Sequence, residues 1–244
     1  MMEKGIAIVT GGVAGIGRAI TMALAEEGYL VVACDVNVER GRALEAERPG
    51  RVAFQQCNVA EESDVERVVR DTCAAYERID ALVNNAGIIR RRMGEEIKTA
   101  DWDAVFAVNV RGAFLFCKHV ADVMKRQRKG KIVNVSSVAG KMGDITSAPG
   151  YGPSKAALDA LTKTFAREMA PYGVTVNGVA PHAIATEMSA EWSEEKRKSI
   201  VQAIPLGRLG KPEEVAAVVR FLLSPGADFI TGEIIDVNGG FLMD

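Results

Sequence analysis

Residues 10–17 read Thr-Gly-Gly-Val-Ala-Gly-Ile-Gly, and this stretch decides the fold. It follows the short apolar run Ile6–Thr10 and opens a segment in which Ile16, Ile20 and Leu24 recur at helical spacing. Glycines at such a turn let the backbone reverse tightly and approach a pyrophosphate, whose charge would lie at the helix N-terminus. The order strand, glycine turn, helix therefore predicts a dinucleotide site, and a turn that only packs the helix on the strand is the alternative.

Short β-branched runs alternate with segments of helical period along the rest of the chain. Helices are indicated between Val65 and Tyr76 and between Trp102 and Val120. The predicted strands are Ile6–Thr10, Leu30–Asp35, Val52–Cys57, Ala81–Asn84, Lys131–Ser136, Val174–Val179 and Glu233–Val237. This alternation predicts an α/β fold with a doubly wound parallel sheet.

Nothing in the sequence divides the chain, so residues 1–244 are expected to form a single domain. The least regular piece runs from Pro181 to Leu209 and contains a candidate polar helix around Glu187–Gln202. An insertion at the carboxyl edge of a sheet often covers a ligand. We therefore expect a lid over the substrate near residues 182–209.

Composition narrows the classes of function. Of 244 residues, 48% are hydrophobic, which is enough for one large core, and 30 basic residues nearly balance 32 acidic ones. This balance argues against a binder of nucleic acid or of a membrane surface. No secretory signal pattern or uninterrupted membrane-spanning apolar run is evident, so we expect a cytoplasmic protein that acts on a small molecule.

Cysteines and histidines give little support for a metal. The four cysteines have neither zinc nor redox spacing, and with two histidines the chain has no His-Glu-x-x-His pattern. The cysteines are Cys34, Cys57, Cys73 and Cys117. We expect reduced core thiols and no metal site.

Asp35 ends the second predicted strand, eighteen positions after Gly17. A carboxylate at about this spacing accepts hydrogen bonds from the adenosine ribose. It favours NAD over NADP, because a 2′-phosphate would meet a negative charge and neither Val36 nor Ala14 supplies a cation. The alternative is that Asp35 caps the helix expected near Asn37–Glu47.

Tyr151 and Lys155 lie four residues apart near the start of a predicted helix and so share one face. A free phenol has a pKa near 10, and an adjacent ammonium favours the phenolate. Tyr151 is thus the candidate acid/base for hydride transfer between a nicotinamide and an alcohol or carbonyl carbon. The alternative is an ordinary exposed pair.

Five motifs occur in order: the glycine turn, Asn84-Asn85-Ala86-Gly87, Asn109, Ser136-Ser137 and Tyr151-x3-Lys155. Together they resemble the short-chain dehydrogenase/reductase family over essentially the whole chain. The resemblance implies an oxidoreductase with a Rossmann-type sheet of seven strands. It also implies a homotetramer built through helix packing, or else a homodimer.

The resemblance also implies roles for individual residues. Tyr151 would act with Lys155, which also holds the nicotinamide ribose, while Ser137 binds the substrate oxygen and Asn109 holds a water in the proton relay. The implied cofactor contacts are Gly11, Gly15, Ile16, Gly17, Asp35, Asn58, Val59, Asn85, Ala86, Gly87, Tyr151, Lys155, Pro181, Ile184 and Thr186. For Thr186 a helix N-cap is the alternative role.

Some positions depart from the family pattern. Asn58 stands where an aspartate commonly meets the adenine, although an amide oxygen can also accept a hydrogen bond. His182 stands where glycine is usual, and it would either contact a ligand or pack. One extra residue separates Ser137 from Tyr151, which indicates an altered pocket wall.

Two further motifs, Val237–Gly240 and Gly87–Arg90, resemble 3-oxoacyl-carrier-protein reductases, which generally prefer NADPH. Because Asp35 opposes NADPH, the first interpretation is an NAD-dependent dehydrogenase of a polyol or hydroxy acid. The acyl-carrier reductase is the alternative, and a non-catalytic NAD-binding sensor is a third. The sensor is disfavoured because Tyr151 and Lys155 are both present.

Arg90, Arg91 and Arg92 follow the fourth strand at the edge that borders the ligand crevice of open α/β sheets. Guanidinium groups suit planar carboxylates, phosphates or sulfonates. We hypothesise that at least one of them attracts an anionic substrate. The alternative is a charge run that faces solvent or another subunit.

Overall fold

Seven strands form one parallel sheet in the computed structural model, which describes residues 4–91, 94–143, 149–190 and 192–243. In chain order they are β1 (Gly5–Thr10), β2 (Tyr29–Asp35), β3 (Val52–Gln56), β4 (Ala81–Asn84), β5 (Gly130–Val135), β6 (Val174–Pro181) and β7 (Ile234–Val237). Each matches a predicted run to within two residues at either end. The predicted fold class is therefore confirmed.

The strand order is β3-β2-β1-β4-β5-β6-β7, so the direction of winding reverses between β1 and β4. Ala7, Ile8 and Val9 of β1 pair with Ala81, Leu82 and Val83 of β4. The loops that leave these two strands run to opposite faces of the sheet and open a crevice between them. The glycine turn after β1 and the Asn85–Gly87 turn after β4 both border it.

Helices cover both faces of the sheet. They are α1 (Gly15–Glu26), α2 (Val38–Glu47), α3 (Glu62–Tyr76), α4 (Thr99–Phe106), α5 (Ala113–Gln127), α6 (Val138–Met142), α7 (Tyr151–Met169), α8 (Glu187–Ala190), α9 (Glu194–Ala203) and α10 (Pro212–Leu222). Alternate residues of each central strand point to opposite faces. Val9 thus packs in the cluster with α1 and α10, whereas Ile8 packs in the cluster with α3 and α5.

The helix predicted across residues 102–120 is interrupted by a π-helical turn at Ala107–Gly112. The extra residue of a π turn does not disturb the i, i+3/i+4 apolar pattern enough to be seen in the sequence. Such turns often occur at functional sites. Here the turn carries Asn109, and a Cβ at Gly112 would lie 2.8 Å from the Val59 side chain.

The helical stretch Thr99–Gln127 is long and apolar enough, by length and composition alone, to cross a membrane. Half of its most apolar window is buried inside the protein. Phe116, Val120 and Met124 pack in the core under the sheet. This stretch has the burial of a core helix.

The cysteines are free thiols, as predicted, with Cys34, Cys57 and Cys117 buried and Cys73 half-buried. Burial raises the pKa of Cys57 and of Cys117 to about 12. A thiol with a raised pKa is a poor nucleophile at neutral pH. These residues act as small apolar side chains.

The single polar helix predicted at Glu187–Gln202 is instead two helices, α8 and α9. Ser193 separates them, because its side chain accepts a hydrogen bond from the Lys196 amide and starts a new helix. The segment has a small apolar cluster of its own around Ala183, Ile204 and Leu209. Trp192 packs against this cluster and thereby takes a fixed position.

Candidate active site

A cleft at the carboxyl edge of the sheet brings together most of the predicted site residues. Those that line it are Gly11, Gly15, Ile16, Gly17, Asp35, Asn85, Ala86, Gly87, Ser137, Tyr151, Lys155, Pro181, Ile184 and Thr186. Asn58, Val59 and Asn109 are not among the lining residues. The glycine turn and the Tyr151–Lys155 pair thus face one common space.

The glycine turn is shaped to admit a ligand. Gly11 and Gly15 have φ of 60° and 49°, which side chains rarely adopt. A Cβ at Gly17 would overlap the Gly11 carbonyl oxygen, and one at Gly11 would lie 2.9 Å from Ala86 Cα. The Ala14 N-cap offers no side-chain acceptor to the first amides of α1. These amides fit the pyrophosphate of a dinucleotide.

The turn after β4 is bound directly to the end of β1. The Thr10 hydroxyl accepts hydrogen bonds from the amides of Asn85 and Ala86, at 3.0 and 3.1 Å. The Asn85 side-chain amide donates to the carbonyls of Thr10 and Gly11, both at 3.0 Å. The two walls of the cleft are therefore held at a fixed spacing.

Asp35 lines the cleft at the end of β2, and the cap of α2 is its neighbour Asn37. The Asn37 side chain accepts from the Arg40 amide at 3.0 Å, while Asp35 Oδ1 accepts from the Asn37 amide at 3.0 Å. The alternative that Asp35 caps this helix is therefore wrong. The contact of Asp35 with an adenosine ribose stays a prediction.

Sequence reasoning missed Arg40, which also lines the cleft. Val36 and Ala14 supply no cation near Asp35, whereas Arg40 in the first turn of α2 does. Its Nη1 is 3.5 Å from Glu187 Oε1 of α8. This ion pair joins α2 to the segment 182–209. A basic residue three positions after the Asn37 N-cap is the sequence signal that could predict a cation near Asp35.

Tyr151 begins α7 and Lys155 lies one turn later. Lys155 is only 3% exposed, so the alternative of an exposed pair is wrong. Its Nζ donates to the Val135 carbonyl at 2.8 Å and lies 5.7 Å from the centroid of the Tyr151 ring. Burial lowers the pKa of Lys155 to about 8, and the carboxylate of Asp159 opposes this shift.

Two serines follow β5, and they have different partners. Ser137 is the N-cap of α6, where its Oγ accepts from the Ala139 amide at 3.2 Å and its hydroxyl proton stays available. Ser136 is buried and its hydroxyl donates to the Lys155 carbonyl at 3.3 Å. This difference fits the choice of Ser137 as the residue that meets the substrate oxygen.

Asn109 lies behind the cleft wall, buried on the π turn. Its Oδ1 accepts from the Ile88 amide at 2.8 Å, and its Nδ2 donates to the Ile88 carbonyl and to Ser154 Oγ, both at 3.0 Å. The side chain therefore ties the segment after β4 to α7, next to Lys155. Its contact with a relay water stays a prediction.

Asn58 and Val59 lie in the turn before α3. Asn58 Oδ1 accepts from the Ala60 amide at 3.1 Å, and the Asn58 amide donates to Asp64 at 2.9 Å. Val59 is buried against the π turn at Gly112. Their contact with an adenine stays a prediction.

The segment predicted to be a lid, residues 182–209, contributes His182, Thr186 and Trp192 to the cleft. Its action as a lid stays a prediction. The His182 ring stacks on Phe241 of the C-terminal turn, with centroids 3.8 Å apart and planes 12° apart. Thr186 directly precedes α8, and its side chain would lie 3.4 Å from a Cβ at Gly15. The start of the lid therefore lies over the glycine turn.

The three consecutive arginines have different surroundings. Arg90 Nε is 3.4 Å from Asp101 Oδ1, whereas the Arg91 guanidinium lies over the Trp192 ring, 6.0 Å from its centroid. Arg92 lies outside the described residues. Of the two that are described, Arg91 is the one in contact with a residue of the cleft.

Among the described residues, Glu62, Glu66 and His119 could hold a metal ion at the surface between α3 and α5. The Lys118 ammonium already donates to Glu62 Oε1 at 2.7 Å. A cation would have to displace it. The absence of a metal site stays a prediction.

Comparison with known proteins gives similarity over nearly the full length. Residues 12–242 match the family model described as enoyl-(acyl carrier protein) reductase. The 3-oxoacyl-(acyl-carrier-protein) reductase FabG of Thermotoga maritima is 42% identical over 99% of both chains. The reductase of that name from Synechocystis is 43% identical over 98% of this chain and 97% of the relative. FabG of Staphylococcus aureus is 40% identical over 97% and 98%.

Proposed function

Because the chain belongs to the short-chain dehydrogenase/reductase family, we propose that it reduces a 3-oxoacyl thioester to the 3-hydroxyacyl thioester with NADH. The full-length similarity to reductases of 3-oxoacyl carrier proteins favours this alternative over a polyol or hydroxy acid as substrate. The buried Lys155 next to Tyr151, in the same cleft as the glycine turn, is the observation that carries the proposal.

The residues of the cleft fit a nicotinamide dinucleotide. Side chains at Gly11 and Gly17 would clash with neighbouring protein atoms, so glycine keeps this turn tight, and a tight turn of this kind supports close approach of a pyrophosphate to the backbone. Asp35 and Thr186 line the same cleft toward either end of that turn, and Lys155 and Tyr151 would meet the nicotinamide end. When bound, the reduced nicotinamide supplies the hydride that the substrate carbonyl carbon receives.

Tyr151 supplies the proton. Its hydroxyl would protonate the carbonyl oxygen as the carbon accepts the hydride, which leaves a phenolate and an alcohol product. The buried Lys155 ammonium stabilises that phenolate, because the two charges interact strongly in a poorly solvated site. A general acid of this kind contributes roughly 10²- to 10⁴-fold to the rate.

Ser137 orients the carbonyl. The Ser137 oxygen accepts a hydrogen bond from the Ala139 amide. The hydroxyl proton of Ser137 can therefore be donated to the substrate oxygen. The donor would polarise the carbonyl and hold it next to Tyr151. Asn109 would act indirectly. Its side chain hydrogen-bonds to Ile88 and to Ser154 and so positions the backbone near Tyr151 and Lys155.

The preference for NADH is the part of the proposal that rests on Asp35. A 2′-phosphate would lie against its carboxylate, and Arg40, the nearby cation, is paired with Glu187. The relatives' names do not state a cofactor. The support for NADH over NADPH is therefore the negative charge of Asp35 beside a cation, Arg40, that is already paired with Glu187.

Nicotinamide absorbance with a 3-oxobutyryl thioester of N-acetylcysteamine, and with a panel of polyols and hydroxy acids, tests the proposal. We expect a higher kcat/KM for the thioester than for any polyol, and for NADH than for NADPH. Asp35→Ser should narrow the cofactor preference and keep the fold, because serine can also accept from the Asn37 amide. No thioester turnover, or equal use of both cofactors by the wild type, would contradict it.

A further inference from the structure

The segment after β4 passes along the catalytic end of the cleft. A Cβ at Gly87 would lie 3.5 Å from Lys155 Nζ, and one at Gly94 would lie 3.8 Å from Pro149, just before Tyr151. Arg91 comes four residues after Gly87, is exposed, and contacts Trp192, which lines the cleft. Because Gly87 adjoins Lys155, Arg91 is near the end of the cleft where the substrate would react.

Trp192 faces Arg91 from the lid. The indole lines the cleft together with Tyr151 and His182, and it packs against the lid cluster of Ala183, Ile204 and Leu209. The Arg91 guanidinium lies over this ring at the distance of a cation–π contact. A guanidinium that covers an aromatic face keeps its N–H groups, which lie in its own plane, available for a second partner.

Charges along the cleft differ between its two ends. Asp35 lines the cleft near the Arg40–Glu187 pair, in which one charge of each sign cancels and Asp35 leaves a net negative charge. The buried Lys155 lies beside Tyr151, and the exposed Arg91 lies over Trp192. Arg90 is engaged with Asp101 and contributes less positive potential there. An anionic group would therefore be attracted to the catalytic end and repelled from the Asp35 end.

We propose that Arg91, held against Trp192, forms a subsite that binds a carboxylate or phosphate group of the substrate at the mouth of the cleft. This inference rests on the proposed function, because it concerns the substrate end of the same cleft. A planar fork of N–H donors suits either group, since both present two oxygens at the right spacing. A phosphate would belong to the phosphopantetheine arm of the proposed thioester. A carboxylate would belong to a small oxo or hydroxy acid, the class of substrate that the proposed function places second.

Binding can be measured by calorimetry without turnover, with two pairs of probes that differ in charge. One pair is 3-hydroxybutyrate and its methyl ester, and the other is 4′-phosphopantetheine and pantetheine. In the wild type we expect the anionic member of one pair to bind about fivefold more tightly than the neutral one, because an exposed ion pair contributes up to ~1 kcal/mol. The pair that shows this difference identifies the anionic group.

Arg91→Gln should remove this advantage, and Arg91→Lys should retain part of it, because lysine keeps the charge but not the fork. Arg90→Gln is the matched control and should leave the advantage intact. Added salt should weaken anion binding in the wild type and have little effect in Arg91→Gln. Equal affinity for charged and neutral probes in the wild type, or the same loss in Arg90→Gln, would overturn the subsite. Neither result depends on whether a 3-oxoacyl thioester is turned over.

Discussion

Lys155 carries a charge in an environment that disfavours charge. The ammonium is buried, and its hydrogen bond goes to a neutral acceptor, the Val135 carbonyl. Asp159, one turn further along α7, is also buried, and its carboxylate raises the pKa of Lys155 against the effect of burial. With a pKa of about 8, Lys155 is mostly protonated at neutral pH and loses its proton as the pH rises above 8.

Reduction should therefore decline as the pH rises through about 8, because the ammonium is present below its pKa and lost above it. Asp159→Asn removes the carboxylate that supports the charge, so the decline should move toward lower pH. The measurement is kcat/KM for reduction against pH. Glu168→Gln, on the same helix and paired with Lys125, is the control and should keep the wild-type profile. An unchanged or raised midpoint in Asp159→Asn would refute this role.

Asp159 itself is faced by Lys155, Lys163 and Lys141, and burial raises the pKa of its carboxyl. The effect of Asp159 on Lys155 therefore depends on the carboxyl being ionised over the range studied. The three ammonium groups lower the pKa of the Asp159 carboxyl against the effect of burial and so favour its ionised form. The charge that supports catalysis is thus maintained by several groups around α6 and α7.

At the scale of elements, α2 and the lid meet across the cleft through Arg40 and Glu187. Both side chains are exposed, so the pair contributes at most ~1 kcal/mol to stability. Its larger effect would be on the cofactor. The Glu187 carboxylate holds Arg40 and also adds a negative charge at the end of the cleft where a 2′-phosphate would lie.

Glu187→Gln should therefore raise the use of NADPH relative to NADH several-fold, because it releases Arg40 and removes a repulsive charge. The ratio of kcat/KM for the two cofactors is the measurement. Glu47→Gln, which breaks the exposed pair with Arg18 outside the cleft, changes the net charge equally and should leave the ratio unaltered. Equal shifts in the two variants would show that only net charge matters.

At the scale of the whole molecule, large apolar side chains stay exposed on the single chain. Phe114 on α5 is 42% exposed next to Phe165 of α7, and Phe229, shortly before β7, is fully exposed. A contiguous exposed apolar patch indicates an interface, and Phe114 beside Phe165 is the candidate on α5 and α7. From the resemblance described above we expect a homotetramer, or else a homodimer, with this face at a subunit contact.

Light scattering coupled to size exclusion should give a mass four times that of one chain. Phe114→Glu should yield a smaller species, because a charge at a helix–helix contact is costly to bury. Glu66→Gln on the exposed surface of α3 is a control that should leave the mass unchanged. A monomeric wild type at micromolar concentration would contradict the tetramer.

Much of this architecture could be predicted from the sequence, because each strand is a short apolar run between turn residues. The sequence predicts the glycine turn and the Tyr151–Lys155 pair because their function depends on close spacing along the chain. It does not predict the π turn at Asn109, because one extra residue hardly changes an apolar helical pattern. Contacts such as Arg91 with Trp192 join residues far apart in sequence, and only the folded chain brings them together.

The turnover of Tyr151→Phe, measured together with its affinity for NADH, tests whether Tyr151 is the acid of the reaction. Phenylalanine keeps the ring and removes the proton donor, so reduction should fall by at least ~10²-fold. NADH affinity should stay close to the wild-type value, since the ring of the side chain is kept. A variant that folds, binds NADH and still reduces the substrate at a rate near that of the wild type would contradict Tyr151 as the acid.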